Sequence, residues 1–565
     1  MAEAAPPNAA IDFVPEAFDF EPKRILGRMA AGKGLLAGYF RHSGAERFYC
    51  LCANLEQFHT FTATAAELGR ATTPVRWIRP DDFPTIAEAG CLYHPDPRLG
   101  DLAWQRRWAG QRAYSLCGVN HTICTTGAMD GIGMLLTVPV QPWDALVCTS
   151  RAAKTAIEHM LGQWGRYLAA RTGGAPRCPV QLPVIPLGVD CDAYADGPKR
   201  RQSRQTIRQR LAIGGEDVAV LYAGRLTYHA KAHPLPLYLA LEAAAQRTGK
   251  PIHLIEAGWF AGPNFKAEFA AAARQTCPSV TIHFVEGRGP DYRLVWHAAD
   301  VFTSLSDNVQ ESFGLTPIEA MAAGLPQVVT DWDGYRDTVR HGIDGFRVAT
   351  LTPPAGSGLE LARRYALSQL SYPLYAGHVS QATAVDVGQS AEAFTRLVAD
   401  PELRSRFGQA GRKRARECFD WSVLVRRYQD LWRELAELRS RAEECAPVEP
   451  GAAAHPLRED PFATFACFPT AVLGPDTTVR LSPDRPPRRL QDVLKMPMMR
   501  FASSMLASKA ECAALLARLG KGECRVSELL EEDSPEDRVH TLLRTLAWLA
   551  KADLIRVDGL TVPED

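Results

Sequence analysis

The sequence predicts an α/β protein made of two Rossmann-like doubly wound domains in tandem, followed by a small winged-helix-like α+β module. Three observations predict it. Short apolar runs alternate with helix-length segments in two successive sets, each large enough to fill its own parallel sheet. A long amphipathic segment then gives way to a proline-dense stretch. Beyond that stretch, three short helical patterns end in a turn signal.

In the first set the strand-like runs are 48–52, 75–78, 114–116, 145–148 and 184–187, and the intervening segments have room for the crossover helices that parallel strands require. Residues 1–190 are expected to form this N-terminal domain. A polar stretch rich in Arg and Gln, from Asp190 to Glu216, joins it to runs at 218–223, 252–257, 280–284, 301–303, 327–330 and 345–348. These place the second domain at 191–420. From Trp421 to Glu443 apolar residues recur three and four apart, so one amphipathic helix is expected to close this part over 421–445. Nine prolines between Pro447 and Pro487 deny regular structure and give an extended linker, 446–490. In the last module, 491–565, helices are expected at 503–519, 526–532 and 536–551, and 554–557 before Asp558-Gly559 reads as a hairpin.

Composition narrows the function. The 565 residues, at about 150 per domain, suggest three or four domains, and a hydrophobic fraction of 46 % excludes disorder for most of the chain. Lys and Arg (64) balance Asp and Glu (64), so no global field draws polyanions or anionic lipid, which argues against a dedicated nucleic-acid binder. From Gln491 to Asp565 ten basic residues face thirteen acidic ones, whereas a DNA reader needs a basic face. A protein partner or a second copy of the chain is therefore the contact expected through 491–565, with Arg538, Arg544 and Lys551 the one hint of nucleic acid. Met-Ala-Glu-Ala-Ala-Pro-Pro has neither the basic start nor the apolar core of a signal peptide, and no run approaches about eighteen apolar residues. A cytoplasmic protein without a transmembrane segment is expected. The 14 cysteines include no Cys-x-x-Cys pair, which favours reduced structural thiols over zinc or redox chemistry.

The stretch from Asp307 to Pro326 carries the chemistry. Thr316 is expected to cap a helix with Pro317 at its first position and Glu319 at its third, while Gly324 and Pro326 end it. The amides of Phe313, Gly314 and Leu315 then point out of a helix N-terminus, ready for an anion or sugar hydroxyls. On this grammar Glu319 is either a capping-box carboxylate or a ligand. Ala223-Gly224-Arg225, with Lys231 downstream, follows the first strand of the same domain and sets two cations at a strand's carboxyl end, where a diphosphate is the natural counter-charge.

Together, Gly-Arg-Leu with a downstream Lys, the Glu311–Glu319 spacing, Ala299-Asp300-Val-Phe, Glu-Ala-Met-Ala-Ala-Gly and Asp344-Gly-Phe resemble the retaining nucleotide-sugar glycosyltransferases of GT-B architecture, in the large family 4 (glycosyltransferase group 1). The resemblance covers about residues 20–440 and makes 1–190 the acceptor side. It implies that Arg225 and Lys231 hold the diphosphate and that Glu319 accepts the ribose hydroxyls. Glu311, with the amides of Ser312, Phe313, Gly314 and Leu315, would hold the transferred sugar, and the backbone at Gly287 and Arg288 would border the base. His121, in Asn120-His121-Thr122, falls where the family's histidine faces the donor sugar; the same histidine in isolation reads as an ordinary strand-end residue. The implied catalytic set is Glu311, His121, Arg225 and Lys231, with a UDP- or GDP-linked donor, an unidentified acceptor, no cofactor and no metal. Two departures stand out: Arg225 and Lys231 are one residue further apart than is usual, and Asp337 replaces a glutamate. The same residues would also serve a catalytically silent sugar-nucleotide sensor acting through the C-terminal module, and the sequence leaves that alternative open.

Three stretches invite other readings. Gly27-Arg-Met-Ala-Ala-Gly32-Lys33-Gly34 has P-loop spacing, but Gly34 replaces the magnesium-binding hydroxyl. It is expected instead as a glycine-rich loop facing the cleft, with Gly27 near the donor, or as a tight turn into a helix. Asp-x-Asp at Asp190 and Asp331 falls in turns, where Asp is common. The basic run 404–416 reads as a solvated helix face, with a lipid surface as the alternative.

Overall fold

The computed structural model describes residues 7–18, 27–195, 197–287, 289, 291–483, 489–530 and 535–560. The chain divides into two compact units, Met1–Glu449 and Pro450–Asp565.

The first unit holds two six-stranded parallel sheets. Strands β1 (Ala10–Asp12), β2 (Phe48–Leu51), β3 (Val75–Ile78), β4 (Cys91–His94), β5 (Ser115–Val119) and β6 (Ala145–Val147) lie in the order β3-β2-β1-β4-β5-β6. Strands β7 (Val218–Ala223), β8 (Ile252–Gly258), β9 (Val280–Glu286), β10 (Val301–Ser304), β11 (Gln327–Thr330) and β12 (Gly345–Val348) lie in the order β12-β11-β10-β7-β8-β9. Each order runs outward in both directions from its first strand, the doubly wound pattern, and the strands are buried on both faces because helices cover them. A short antiparallel pair, β13 (Thr350–Leu351) and β14 (Ala384–Val385), is appended.

Several local expectations are corrected. The run at 184–187 forms only a bridge, Cys148 to Val184, because Pro183 and Pro186 lack the donors a ladder needs. Strand β5 starts at Ser115 and runs to Val119 instead of 114–116. Strands β1 and β4 are absent from the sequence reading; each ends on a polar residue, Asp12 and His94 respectively, which cuts the apolar run within the strand to two and three residues. The P-loop-like stretch is no loop: it is helix α1 (Gly27–His42), in which Ala31, Leu35, Leu36, Tyr39 and Phe40 are buried.

Helix α2 (Arg151–Thr172) begins at a Ser150 cap, α3 (Leu315–Ala323) follows β10, and α4 (Pro401–Arg414) carries the basic run. Three of its arginines are not simply solvated: Arg404 donates to the carbonyls of Leu397 and Val398, Arg412 to that of Ala323, and Arg414 to those of Asp337 and Thr338. Helix α5 (Trp421–Arg441) returns to the first sheet, where Trp421, Leu424, Tyr428, Trp432 and Leu435 join its core. Gly188 makes that crossing possible, since a Cβ there would sit 2.5 Å from the Trp421 ring. Buried Arg106 and Asp144 form a bidentate pair beneath β5 and β6, at 2.5 and 2.8 Å.

In the second unit β15 (Thr478–Leu481) is the middle strand of an antiparallel sheet, between β16 (Cys524–Arg525) and β17 (Ile555–Val557). The proline-dense stretch therefore contains a strand, because Thr-Val-Arg-Leu buries Val479 in a core with Leu519, Leu546, Leu549 and Ile555. Strand β17 pairs with β15, where a hairpin through Asp558-Gly559 was expected. The helix expected from 503 starts at Lys509, where Ser508 and Glu511 form a capping box. Among the described residues no helix is long and apolar enough to cross a membrane.

Candidate active site

The two sheets face each other across a cleft, and the site is assembled from loops at strand carboxyl ends. At the end of β7 the chain turns through Gly224 to Arg225, whose Nη2 donates to the carbonyl of Ala230 at 3.2 Å. Lys231 Nζ donates to Glu311 Oε2, and this carboxylate also accepts from the Tyr335 hydroxyl at 3.4 Å.

The loop before α3 is tied down at several points. Asn308 Nδ2 donates to the His229 carbonyl at 3.1 Å, Trp332 Nε1 to the Asn308 carbonyl at 3.1 Å, and Tyr372 donates its hydroxyl to Gln310 Oε1 at 2.9 Å. Gly314 has φ +86°, and a Cβ there would meet Tyr335 Cε1 at 2.2 Å, so only glycine fits. Gly314, not Thr316, is the N-cap, with Leu315 first in the helix; this overturns the expected cap, because the loop is fixed by Tyr335 packing and not by a side-chain acceptor. Among the described residues nothing accepts from the amides of Ser312, Phe313, Gly314 or Leu315, and all four residues line the cavity.

Glu319 lies within the first two turns of α3, too far along to close a capping box. Burial pushes its carboxyl up to about 7, opposed by a hydrogen bond from the Tyr194 hydroxyl. The cavity it lines has a volume of ≈ 600 Å³ and also gathers Gly27, His121, Arg225, Lys231 and Gly287. Arg288 lies outside the described residues. Gly27 is the first residue of α1, so its amide belongs to a helix N-terminus.

His121 follows β5. Its buried Nδ1 has no hydrogen-bond partner, and burial, reinforced by the Arg28 charge, pushes the imidazole down to about 4, which keeps it neutral near pH 7. Its carbonyl accepts from Ser312 Oγ at 2.6 Å, a bond that spans the cleft. Further spans join Ser150 Oγ to Asp333 at 3.1 Å, and Arg151 N and Nε to Asp337, both at 2.7 Å. Asp333 is thereby engaged, and Asp331 is flanked by Arg336 and Arg347 at 3.4 Å. Asp190 pairs with Arg41 at 2.7 Å.

Sequence reasoning missed Arg28, Tyr194, Trp259, Tyr292, Gln310 and Tyr372, which complete the lining or its supports. No motif marks the tyrosines, which arrive from scattered elements. Arg28 sits beside Gly27 inside the stretch already singled out.

Residues 203–353 match the family model "Glycosyl transferases group 1". The chain is similar to the D-inositol 3-phosphate glycosyltransferase of Geodermatophilus obscurus, 32 % identical over 220 residues, covering 36 % of this chain and 44 % of that protein. It is also similar to the alpha-maltose-1-phosphate synthase of Mycolicibacterium smegmatis, 24 % identical over 366 residues, covering 62 % and 80 %. A solved structure, that of Anabaena HepE in complex with UDP, aligns at TM-score 0.48 and 16 % identity over 75 % of this chain and 99 % of that one. The architecture is that of GT-B proteins, two Rossmann-like domains across a cleft. The second of them carries a glycosyltransferase group 1 domain.

Proposed function

We propose that the protein is a retaining, metal-independent glycosyltransferase that moves a sugar from a nucleoside-diphosphate sugar, UDP- or GDP-linked, to an acceptor bound on the first domain. The observation that carries this is the convergence on one cavity of Arg225, Lys231 and the residues Ser312 to Leu315, whose amides have no acceptor among the described residues, with Glu311 and Glu319 beside them. As the anomeric bond breaks, negative charge grows on the departing diphosphate, and fixed cations and amides aimed at it lower the barrier. Glu311, held by Lys231 and Tyr335, presents a carboxylate to sugar hydroxyls and acts as a positioning group. Glu319, which accepts from the Tyr194 hydroxyl and lines the same cavity, is the group we assign to the ribose hydroxyls. Neutral His121 can donate to the transferred sugar or accept from it. The acceptor oxygen bonds to the anomeric carbon as the bond to phosphate breaks; the bonding pair leaves with the diphosphate, which also takes the hydroxyl proton.

The test is nucleoside-diphosphate release from a panel of UDP- and GDP-sugars in excess EDTA, with NMR of the product anomer. Release that survives chelation and a retained anomeric configuration are expected. Loss of turnover restored by Mg²⁺, or an inverted product, would overturn the mechanism. Nucleotide binding without turnover on any donor would favour the sensor.

A further inference from the structure

The order of the first sheet reverses between β1 and β4, and the carboxyl ends of these neighbouring strands carry Asp12 and His94. Ala10 pairs with Leu92 and Ile11 with Tyr93, which brings the next residues, Asp12 and His94, together. His94 Nδ1 and Asp12 Oδ2 are 2.7 Å apart, and the two side chains are only 16 % and 17 % exposed. In doubly wound sheets the crevice at such a reversal is where ligands bind. Here it opens on a second cavity of ≈ 390 Å³, lined by His94, Glu16 and Asp96, which shares Arg28, His121 and Thr122 with the larger one.

We propose that His94, oriented by Asp12, binds a hydroxyl of the acceptor, and that the acceptor is an uncharged polyhydroxylated compound, a sugar or polyol. The proposal rests on the glycosyltransferase reading. With Asp12 accepting the Nδ1 proton, the tautomer is fixed and Nε2 is left as an acceptor, to which no described residue donates. A hydroxyl satisfies that lone pair. The charges around it favour a neutral ligand: Glu16 and Asp96 line the cavity, Asp12 stands behind the imidazole, and Arg98 is already held by Asp96 at 2.6 and 3.2 Å. With Arg98 and Asp96 cancelling as an ion pair, a phosphate beside His94 would face Glu16 and Asp12 against Arg28 among the described residues.

The test compares wild type, His94→Ala and His94→Gln, whose amide oxygen accepts the same bond. Acceptor KM and kcat are measured with glucose and mannitol against glucose 6-phosphate and mannitol 1-phosphate, and UDP and GDP affinities by calorimetry. Expected are a neutral acceptor preferred in wild type, an acceptor KM raised at least tenfold in His94→Ala with nucleotide affinity within twofold, and substantial recovery in His94→Gln. An unchanged acceptor KM in His94→Ala, or a phosphorylated acceptor preferred over its neutral parent, overturns the proposal while leaving the glycosyltransferase reading intact. A wild type that binds neither nucleotide defeats that reading, and this proposal with it. If nucleotide binds but turnover is absent, saturation-transfer NMR of glucose and mannitol on the UDP or GDP complex decides: no binding, or binding that survives His94→Ala, overturns the proposal.

Discussion

Lys231 and Glu311, 80 residues apart in sequence, form an ion pair inside the cavity, with side chains 21 % and 9 % exposed. The two charges face each other where water is scarce, and each must also serve a donor. Removing one partner strands the other. Lys231→Met is therefore expected to cost on the order of 3 kcal/mol of stability, and Lys231→Met with Glu311→Gln to recover most of it. Denaturant unfolding of the two single variants and the double variant checks this, since a coupled pair gives non-additive losses.

Glu319 gives a pH signature. Its carboxyl is raised to about 7 in the folded chain, so the fold holds a proton that the unfolded chain releases near its ordinary pKa of about 4.3. Its contribution is fully present below that value and is lost as pH rises through 7. Glu319→Gln should thus gain stability relative to wild type between pH 5 and pH 8. Melting curves at both pH values measure the difference, and a constant offset would show that the group is not perturbed.

Gly314→Ala is expected to lower stability by at least about 1–2 kcal/mol from the backbone alone, with more from the clash against Tyr335. It should also weaken nucleoside-diphosphate binding by misaiming the amides of α3. Chemical denaturation together with calorimetry separates the two effects.

Asp337 takes both the backbone amide and the side chain of Arg151 at the N-terminus of α2. Asp337→Ala should loosen the first domain from the second, seen as faster hydrogen exchange at residues 150–153 and a raised donor KM. Protection equal to wild type would mean that the contact holds nothing.

The two-sheet architecture was legible because ten of the twelve long-sheet strands are apolar enough to stand out, Val218–Ala223 and Ile252–Gly258 most plainly. What escaped was short or set by tertiary contacts. Strands β1 and β4 each end on a polar residue that shortens the apolar run, and those residues are Asp12 and His94. The helical state of Gly27–His42 follows from burial of Leu36, Tyr39 and Phe40 and not from its glycines. In the site, the loop Glu311–Leu315 was legible from its glycine and helix start, but the cap was misplaced, because the sequence does not reveal that Tyr335 packs against Gly314.

Titration calorimetry of UDP and GDP against wild type, Arg225→Ala and Lys231→Ala tests whether the two cations hold a nucleoside diphosphate. One nucleotide is expected to bind the wild type, and each folded variant to bind it at least tenfold more weakly, about 1.4 kcal/mol. Binding of neither nucleotide, or undiminished affinity in both variants, would contradict it.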